Sequence, residues 1–411
     1  MRTSHRVMAV AFLTTAMVAG ASACGSGFND TPEQKSGPAD LEILIGSSGQ
    51  AETDAVQKAA AAWAEATGNT ATVVPAQDLA QQLGQAFAGS NPPDVFYVDA
   101  GRFADYAKAG ALLPYGKDIP DADDFYASLR DAFTFDGELY CIPKDFSTIA
   151  MQINTDLWAQ AGLTDDDVPT TWDELRSAAE KLKAANITPI VIGDTRDRIG
   201  AFMVQAGGWI VSKDGTEATG DSPENLQALQ YMQGLIKDGL AVYPRDIDTG
   251  WGGEAFGKQL AAITFEGNWI KGALQNDFPD VKYEVHEMPA GPKGKGTLSF
   301  TVCWGISAKT QYREQAIDFV RHMTSAEQQI KFTEAFGVMP SRASLRDEYL
   351  KQFPNDEAFI AGAAYAQGPV KAPKMDSVLS DFDAGLQQLA STDPKALLER
   401  LQDNTEAALA G

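Results

Sequence analysis

Two α/β lobes joined by crossing strands are what this chain predicts, on three observations. Its 411 residues exceed what one hydrophobic core normally organises. Short apolar strands alternate with amphipathic helices in two separate blocks, the pattern of βαβ units around mostly parallel sheets. Between the blocks, Asp136–Trp158 holds two β-rich runs interrupted by Pro143 and the triplet Lys144-Asp145-Phe146. Such an interruption is poor core material. It suits a backbone that leaves one lobe, enters another, and turns its kink toward the space between.

The first residues are read as an export signal rather than as fold. Arg2 and Arg6 precede an apolar run from Val7 to Val18, too short to span a bilayer, followed by Gly20-Ala21-Ser22-Ala23-Cys24. This resembles a bacterial lipoprotein signal, in which the cysteine is diacylated and becomes the new N-terminus. Ala21 departs from the Leu usual there, and plain secretion is the alternative. Residues 1–23 are thus expected to be removed, and the Gly-, Ser- and Pro-containing stretch 24–39 to act as a tether. The mature protein is expected outside the cytoplasmic membrane, held by lipid on Cys24.

In chain order, Leu41–Ile45 is an apolar strand running into the small-residue loop Ser47–Glu52. A helix over Thr53–Thr67 places Val56, Ala60 and Trp63 on one face and stops at Gly68. Thr70–Val74 is a strand, Leu79–Phe87 a helix, and Asp94–Val98 a buried strand ending in Asp99-Ala100-Gly101-Arg102. Ligands gather at the carboxyl ends of strands in open sheets, which singles out Ser47–Glu52 and Asp99–Arg102. The first crossing run spans Leu139–Ile142, breaks at Pro143, and resumes over Thr148–Ile153. Thr171 caps a helix with acids in its first turn, and Ser222 or Asp221 caps another that reaches Lys237. Ala261–Phe265 is a strand, Glu266-Gly267-Asn268-Trp269 a tight turn, and Ser299–Ile306 a returning strand. Gln311–Met323 is an amphipathic helix, and the remainder reads as helical.

Lys and Arg number 33 against 56 Asp and Glu, a net charge of −23. Nucleic acid, which demands a basic face, is excluded as a partner. His5, His286 and His322 lie far apart, no pair has zinc spacing, and no Gly-rich loop matches a nucleotide cradle. No catalytic constellation, metal or cofactor is expected. Cys141 and Cys303 fall in the two crossing runs. In an exported chain they are expected either as a disulfide or as two buried thiols, and spacing does not decide.

The tryptophans carry the functional signal. Trp63, Trp158 and Trp172 fit helix faces or a helix start. Trp209, Trp251, Trp269 and Trp304 each lie beside or within one residue of a glycine, in turns or at strand ends. An indole there offers a flat apolar face while nearby polar groups reach its edge, a combination suited to a pyranose with apolar C–H faces and a rim of hydroxyls. Glu52, Asp99, Asp145 and Glu266 are placed as hydroxyl acceptors, and Arg102, Lys144 and Arg342 as donors.

Five stretches then carry a resemblance: DVFYVDAGRFADYAKAGALLPY, DGELYCIPKDFSTIAMQINTDLWAQAGL, PTTWDELRSAAEKL, AFGKQLAAITFEGNWI and EAFGVMPSR. Together they resemble the extracellular carbohydrate-binding proteins of ABC importers, the maltose-binding-protein-like group. The resemblance implies a two-lobed periplasmic-binding-protein-like fold of type II with crossover hinge strands. One lobe is expected over 40–146 and 307–350, the other over 147–306 and 351–411. It also implies a monomer that captures a mono-, di- or short oligosaccharide by hinge closure and delivers it to permease subunits. The resemblance implies that Asp99–Arg102, Lys144–Ser147, Gly207–Trp209, Trp251, Trp269 and the Gly337–Arg342 loop face the cleft; with the strand-end loops and the glycine-flanked tryptophans, the candidate ligand-binding residues are Gln50, Glu52, Asp99, Arg102, Lys144, Asp145, Phe146, Trp209, Trp251, Glu266, Trp269, Trp304, Met339 and Arg342. Relatives often place another stacking aromatic in the tail, whereas Met375-Asp376-Ser377-Val378-Leu379 offers none. A glycerophosphodiester or other polyol derivative is the alternative ligand, and a glycan-degrading enzyme the alternative class.

Overall fold

The structure, a computed structural model, describes residues 32–410, so the expected signal and Cys24 lie outside the described residues. In the first lobe Asp40–Ile45 pairs in parallel with Thr70–Pro75, Asp40 opposite Thr70, and with Val95–Asp99, Ile43 opposite Val95. The helix Gln50–Thr67 connects the first two strands. It starts three residues before the expected Thr53, because Gly49 is extended and its carbonyl already accepts from Thr53 N–H at 3.1 Å. Gly68 ends it at φ 73°, a left-handed conformation in which its N–H reaches Ala64 O.

Two long strands complete this sheet. The return strand Thr297–Ile306 runs antiparallel to Val95–Asp99, with Val302 opposite Asp99 and Trp304 opposite Tyr97. On its other side lies the crossover strand Ile142–Thr148, and beyond that the short edge Met339–Pro340. The crossover does not break at Pro143 as expected. Pro143 sits at a bulge: Val302 faces Asp145 and Cys303 faces Pro143, leaving Lys144 as the extra residue. The ladder absorbs a residue without an N–H at that point and continues. The change of sheet falls instead at Ile149, whose N–H donates to Leu298 O at 3.3 Å and whose carbonyl accepts from Thr297 Oγ1 at 2.7 Å.

From Ala150 the chain belongs to the second sheet, in the order Tyr283–His286, Ala150–Asn154, Ile263–Glu266, Ile190–Val191, Ala241–Val242. Each lobe has its own core. Trp63, Tyr97, Phe103, Trp304 and Phe319 centre the first, and Met151, Trp172, Phe202, Met232 and Phe265 the second. The helices Asp376–Leu386 and Pro394–Ala410 bury Phe382, Leu386 and Leu397 in the second lobe. A third cluster bridges the lobes beside the crossings. It joins Leu129, Phe146 and Met339 to Phe256, Ile270, Tyr349 and Phe359.

Cys141 and Cys303 form a disulfide with Cα atoms 5.8 Å apart. It lies in the core of the first lobe, tying the approach to the crossover strand to the return strand.

Candidate ligand-binding cleft

The wall given by the first lobe is organised around Lys144. Successive residues of a regular strand point to opposite faces. The bulge suspends that rule, so Lys144 Nζ pairs with the neighbouring Asp145 carboxylate and, at 2.9 Å, with Glu52 Oε1. Glu52, in the first turn of its helix and only 3% exposed, also accepts from Ser48 N–H at 2.8 Å, Ser48 Oγ at 2.7 Å and the Tyr97 hydroxyl at 3.0 Å. Burial alone would raise the Glu52 carboxyl, but Lys144 and the Ser48 donors outweigh it and hold it below its ordinary value. For Asp145 burial prevails. With Glu52 adding repulsion and Lys144 only partly compensating, its carboxyl lies above the ordinary value. The ammonium sits 4.9 Å from the centre of the Tyr97 ring.

The opposing wall is built on Glu266, the last residue of Ile263–Glu266. Its Oε2 accepts from Arg198 Nη2 at 2.6 Å, Arg198 Nε at 3.1 Å and Trp269 Nε1 at 3.0 Å. The Arg198 guanidinium lies 5.0 Å from the centre of the Trp269 ring, and Phe300 of the return strand meets that ring edge-on at 5.2 Å. The turn must bring the indole over Gly267, where an added Cβ would fall 2.2 Å from Trp269 Cζ3. Three neighbours therefore hold an indole that remains 37% exposed, one of few large hydrophobic side chains so exposed among the described residues.

A cavity of about 190 Å³ lies between the lobes, reaching Phe300, the residue that braces Trp269. Asp99, Ala100 and Gly101 line it from the first lobe, and Arg196, Asp197 and Trp209 from the second. The return strand residues Leu298–Thr301, the segment Gln367–Val370 and Leu379 complete the lining. Asp99 caps the helix Ala100–Lys108 by accepting from Gly101 N–H at 2.8 Å. Partial removal from solvent, with Asp197 and Asp376 facing it from the other lobe, raises its carboxyl above the ordinary value despite Gly101 and Arg102. Arg102 reaches across to Asp376 at 3.2 Å, and Lys374 N–H donates to Asp105 at 2.8 Å, so the lobes touch at the mouth.

Four expected cleft residues, Trp304, Met339, Phe146 and Arg342, are buried. Trp304 is 0% exposed; its pairing with Tyr97 sets it two residues inside the cleft edge marked by Asp99. There Tyr97 and Phe319 cover it at ring separations of 4.8 and 5.8 Å. Met339 and Phe146 are buried in the cluster beside the crossings. Trp251 packs on that same cluster, over Gly253. Arg342 is 4% exposed and serves the first lobe: it donates to Thr324 O at 2.7 Å, pairs with Asp121 at 2.7 Å and Asp124 at 3.0 Å, and lies 4.4 Å from the centre of the Phe125 ring. Gln50 is exposed and bonds Asp54 at 2.7 Å. Glu52, Lys144 and Asp145 lie together in the first lobe, Glu266 and Trp269 together in the second, and Asp99 and Trp209 line the interlobe cavity, with Arg102 at its mouth.

The sequence reading missed Arg198, Asp197, Phe300 and Tyr97. The rule applied to Ser47–Glu52 and Asp99–Arg102 also marks the charged run Asp194–Arg198, which follows the strand Ile190–Val191. Phe300 and Tyr97 carry no such signal, since an aromatic within a strand reads as core.

A two-lobed fold with a lined interlobe cleft defines a ligand-capturing protein, and comparison with known proteins gives its family. Residues 47–330 match the family model described as bacterial extracellular solute-binding protein, and the chain belongs to that family. It is an exported solute-binding protein of an ABC importer. It is 26% identical over 348 residues to the maltotriose-binding protein of Pyrococcus abyssi, covering 79% of this chain and 73% of that one. It is 25% identical over 284 residues to the diacetylchitobiose binding protein DasA of Streptomyces coelicolor, covering 65% of each. The cyclic alpha-maltosyl-1,6-maltose binding protein from Arthrobacter globiformis superposes with a TM-score of 0.81 at 21% identity, over 91% of this chain and 99% of that one, and thereby shares the two-lobed fold.

Proposed function

We propose that this protein captures a short saccharide between its lobes and presents it to the membrane permease, without making or breaking a bond. The observation that carries the reading is Trp269: an exposed indole whose N–H is held by the buried Glu266 and whose ring is braced by Arg198 and Phe300. An aromatic platform bordered by carboxylates suits a ring with apolar faces and donating hydroxyls. Trp269, Glu266, Arg198, Asp99 and Asp197 are the proposed ligand contacts. Closure follows if the sugar touches both walls, because only differential contacts with the closed state shift the equilibrium. The carboxylate-rich lining speaks against a phosphodiester ligand, which would need free cationic donors. A thermal-shift screen against a saccharide panel tests the reading, since a ligand at 100 times its Kd adds about 2.7 kcal/mol to apparent stability. Failure of every saccharide to raise the melting temperature refutes it. The protein is further proposed to be tethered by lipid on Cys24, in which case Cys24→Ala moves it from the membrane fraction to the medium; a variant that stays with the membrane refutes the tether.

A further inference from the structure

The charges around the interlobe cavity do not balance, and the imbalance bears on what the ligand carries. Arg196 is committed to Asp383 through its guanidinium and, at 2.8 Å, its backbone N–H. Arg102 is committed to Asp376 at 3.2 Å. Asp197 has only Arg196 Nε at 3.8 Å, beyond hydrogen-bond reach. Asp99 takes one backbone N–H and forms no ion pair. Four carboxylates thus share two guanidiniums, and the two without a close cation line the cavity from opposite lobes. Glu52 and Asp145 share the single Lys144 beyond it, adding further excess negative charge on the first wall.

A second observation points to a missing polar partner at the same place. Ser299 lines this cavity, is only 4% exposed, and its hydroxyl has no hydrogen-bond partner. The indole N–H of Trp209, buried on another part of the lining, also lacks one. Both atoms are covered in this arrangement of the lobes, and buried polar groups of a folded protein are nearly always satisfied, so a movement of the lobes that uncovers them favours a polar occupant. An occupant reached by Asp99 and Asp197 together must donate, and a positively charged donor relieves their mutual repulsion as well.

We infer that the preferred ligand is a saccharide bearing a protonated amine, an amino sugar whose ammonium sits between Asp99 and Asp197. This rests on the saccharide reading above and sharpens it. A charge-assisted hydrogen bond exceeds a neutral one, and closure of the lobes removes the screening water. A neutral hydroxyl in the same place gains neither advantage.

The test uses matched pairs that differ in one substituent, titrated by calorimetry into the full mature protein at pH 7: glucosamine against glucose, galactosamine against galactose, and fully deacetylated chitobiose against cellobiose. In the pair that binds most tightly, the amino member is expected to bind about tenfold or more tightly, the worth of one charge-assisted bond. Asp99→Asn and Asp197→Asn should each bring the two members close to parity. Asn keeps the helix cap at 99, and Asp197 is half-exposed, so both variants are expected to fold; unchanged melting checks this. A neutral sugar that binds as tightly as its amino partner overturns the inference and leaves the saccharide reading intact. An amine preference that survives both substitutions also overturns it. If no member of any pair binds while another saccharide raises the melting temperature in the thermal-shift screen, the inference falls and the saccharide reading stands; if no saccharide binds in either experiment, both fall.

Discussion

Replacing Trp269 with alanine separates a ligand platform from a surface plug. The exposed face of the indole is about a third of the 150–250 Å² that an aromatic side chain buries, or ~50–80 Å². At about 25 cal/mol per Å², covering that face with a pyranose stabilises the complex by ~1.3–2 kcal/mol. The substitution also removes one of the three N–H donors that orient Glu266 Oε2, a carboxylate proposed to accept from the ligand, and leaves the two from Arg198. Together these weaken binding about 10- to 50-fold at 1.4 kcal/mol per decade. The fold should tolerate the change, because the ring is 37% exposed and lies outside both lobe cores. Calorimetry on Trp269→Ala, with the saccharide found in the thermal-shift screen, measures the effect. Trp269→Phe keeps a flat face but not the N–H, and should fall between the two. Affinity unchanged in Trp269→Ala would refute the reasoning at its centre.

Arg342 and the disulfide give the remaining expected outcomes. Arg342→Met should lower the melting temperature without altering ligand affinity, because its partners Asp121, Asp124 and Thr324 all belong to the first lobe. Burial tends to raise the Asp124 carboxyl, but Arg342 and Ser344 hold it below its ordinary value. The pair's stabilisation is therefore fully present above the unfolded carboxylate value, about 3.9, and is lost as pH falls through the lower folded value. The gap between Arg342→Met and the parent should close below about pH 4 in pH-resolved melts, and a gap that persists there contradicts the assignment. For the disulfide, a sequence separation of 162 gives a loop-entropy ceiling of about 5 kcal/mol. The double Cys141→Ser, Cys303→Ser variant should melt many degrees lower while binding ligand normally, and alkylation of both thiols in the denatured, unreduced parent would show that no bond exists.

The elements and their order were legible because their signals are local. Apolar strands ending in Gly or Asp, Thr171 capping with Glu174, and Pro143 beside a charged triplet all speak within a few residues. Trp269 was legible for the same reason, since Glu266 and Gly267 are its own chain neighbours. Trp304 was not. Its flanking glycine resembles that of Trp269, but Tyr97 and Phe319 cover it from elsewhere in the sequence. Arg342 reads as an exposed loop cation until Asp124, 218 residues away in sequence, closes on it. Arg198 follows the strand Ile190–Val191, so its signal is also local, at the carboxyl end of a strand of the second sheet.

By itself the sequence determined a two-lobed α/β chain, the crossing strands, the acidic balance, and an indole set in the turn after Glu266. These follow from composition, period and capping, which depend on residues near one another along the chain. Only the tertiary structure decided which polar groups have charge left over. Lys144 looks like a free donor, yet Glu52 and Asp145 both hold it. Arg196 looks like another, yet Asp383 claims it. A salt bridge across 187 residues depends on the whole fold, and no local window contains it. Asp99, which forms no ion pair, and Asp197, which has Arg196 only at 3.8 Å, stand out only after those pairings are made.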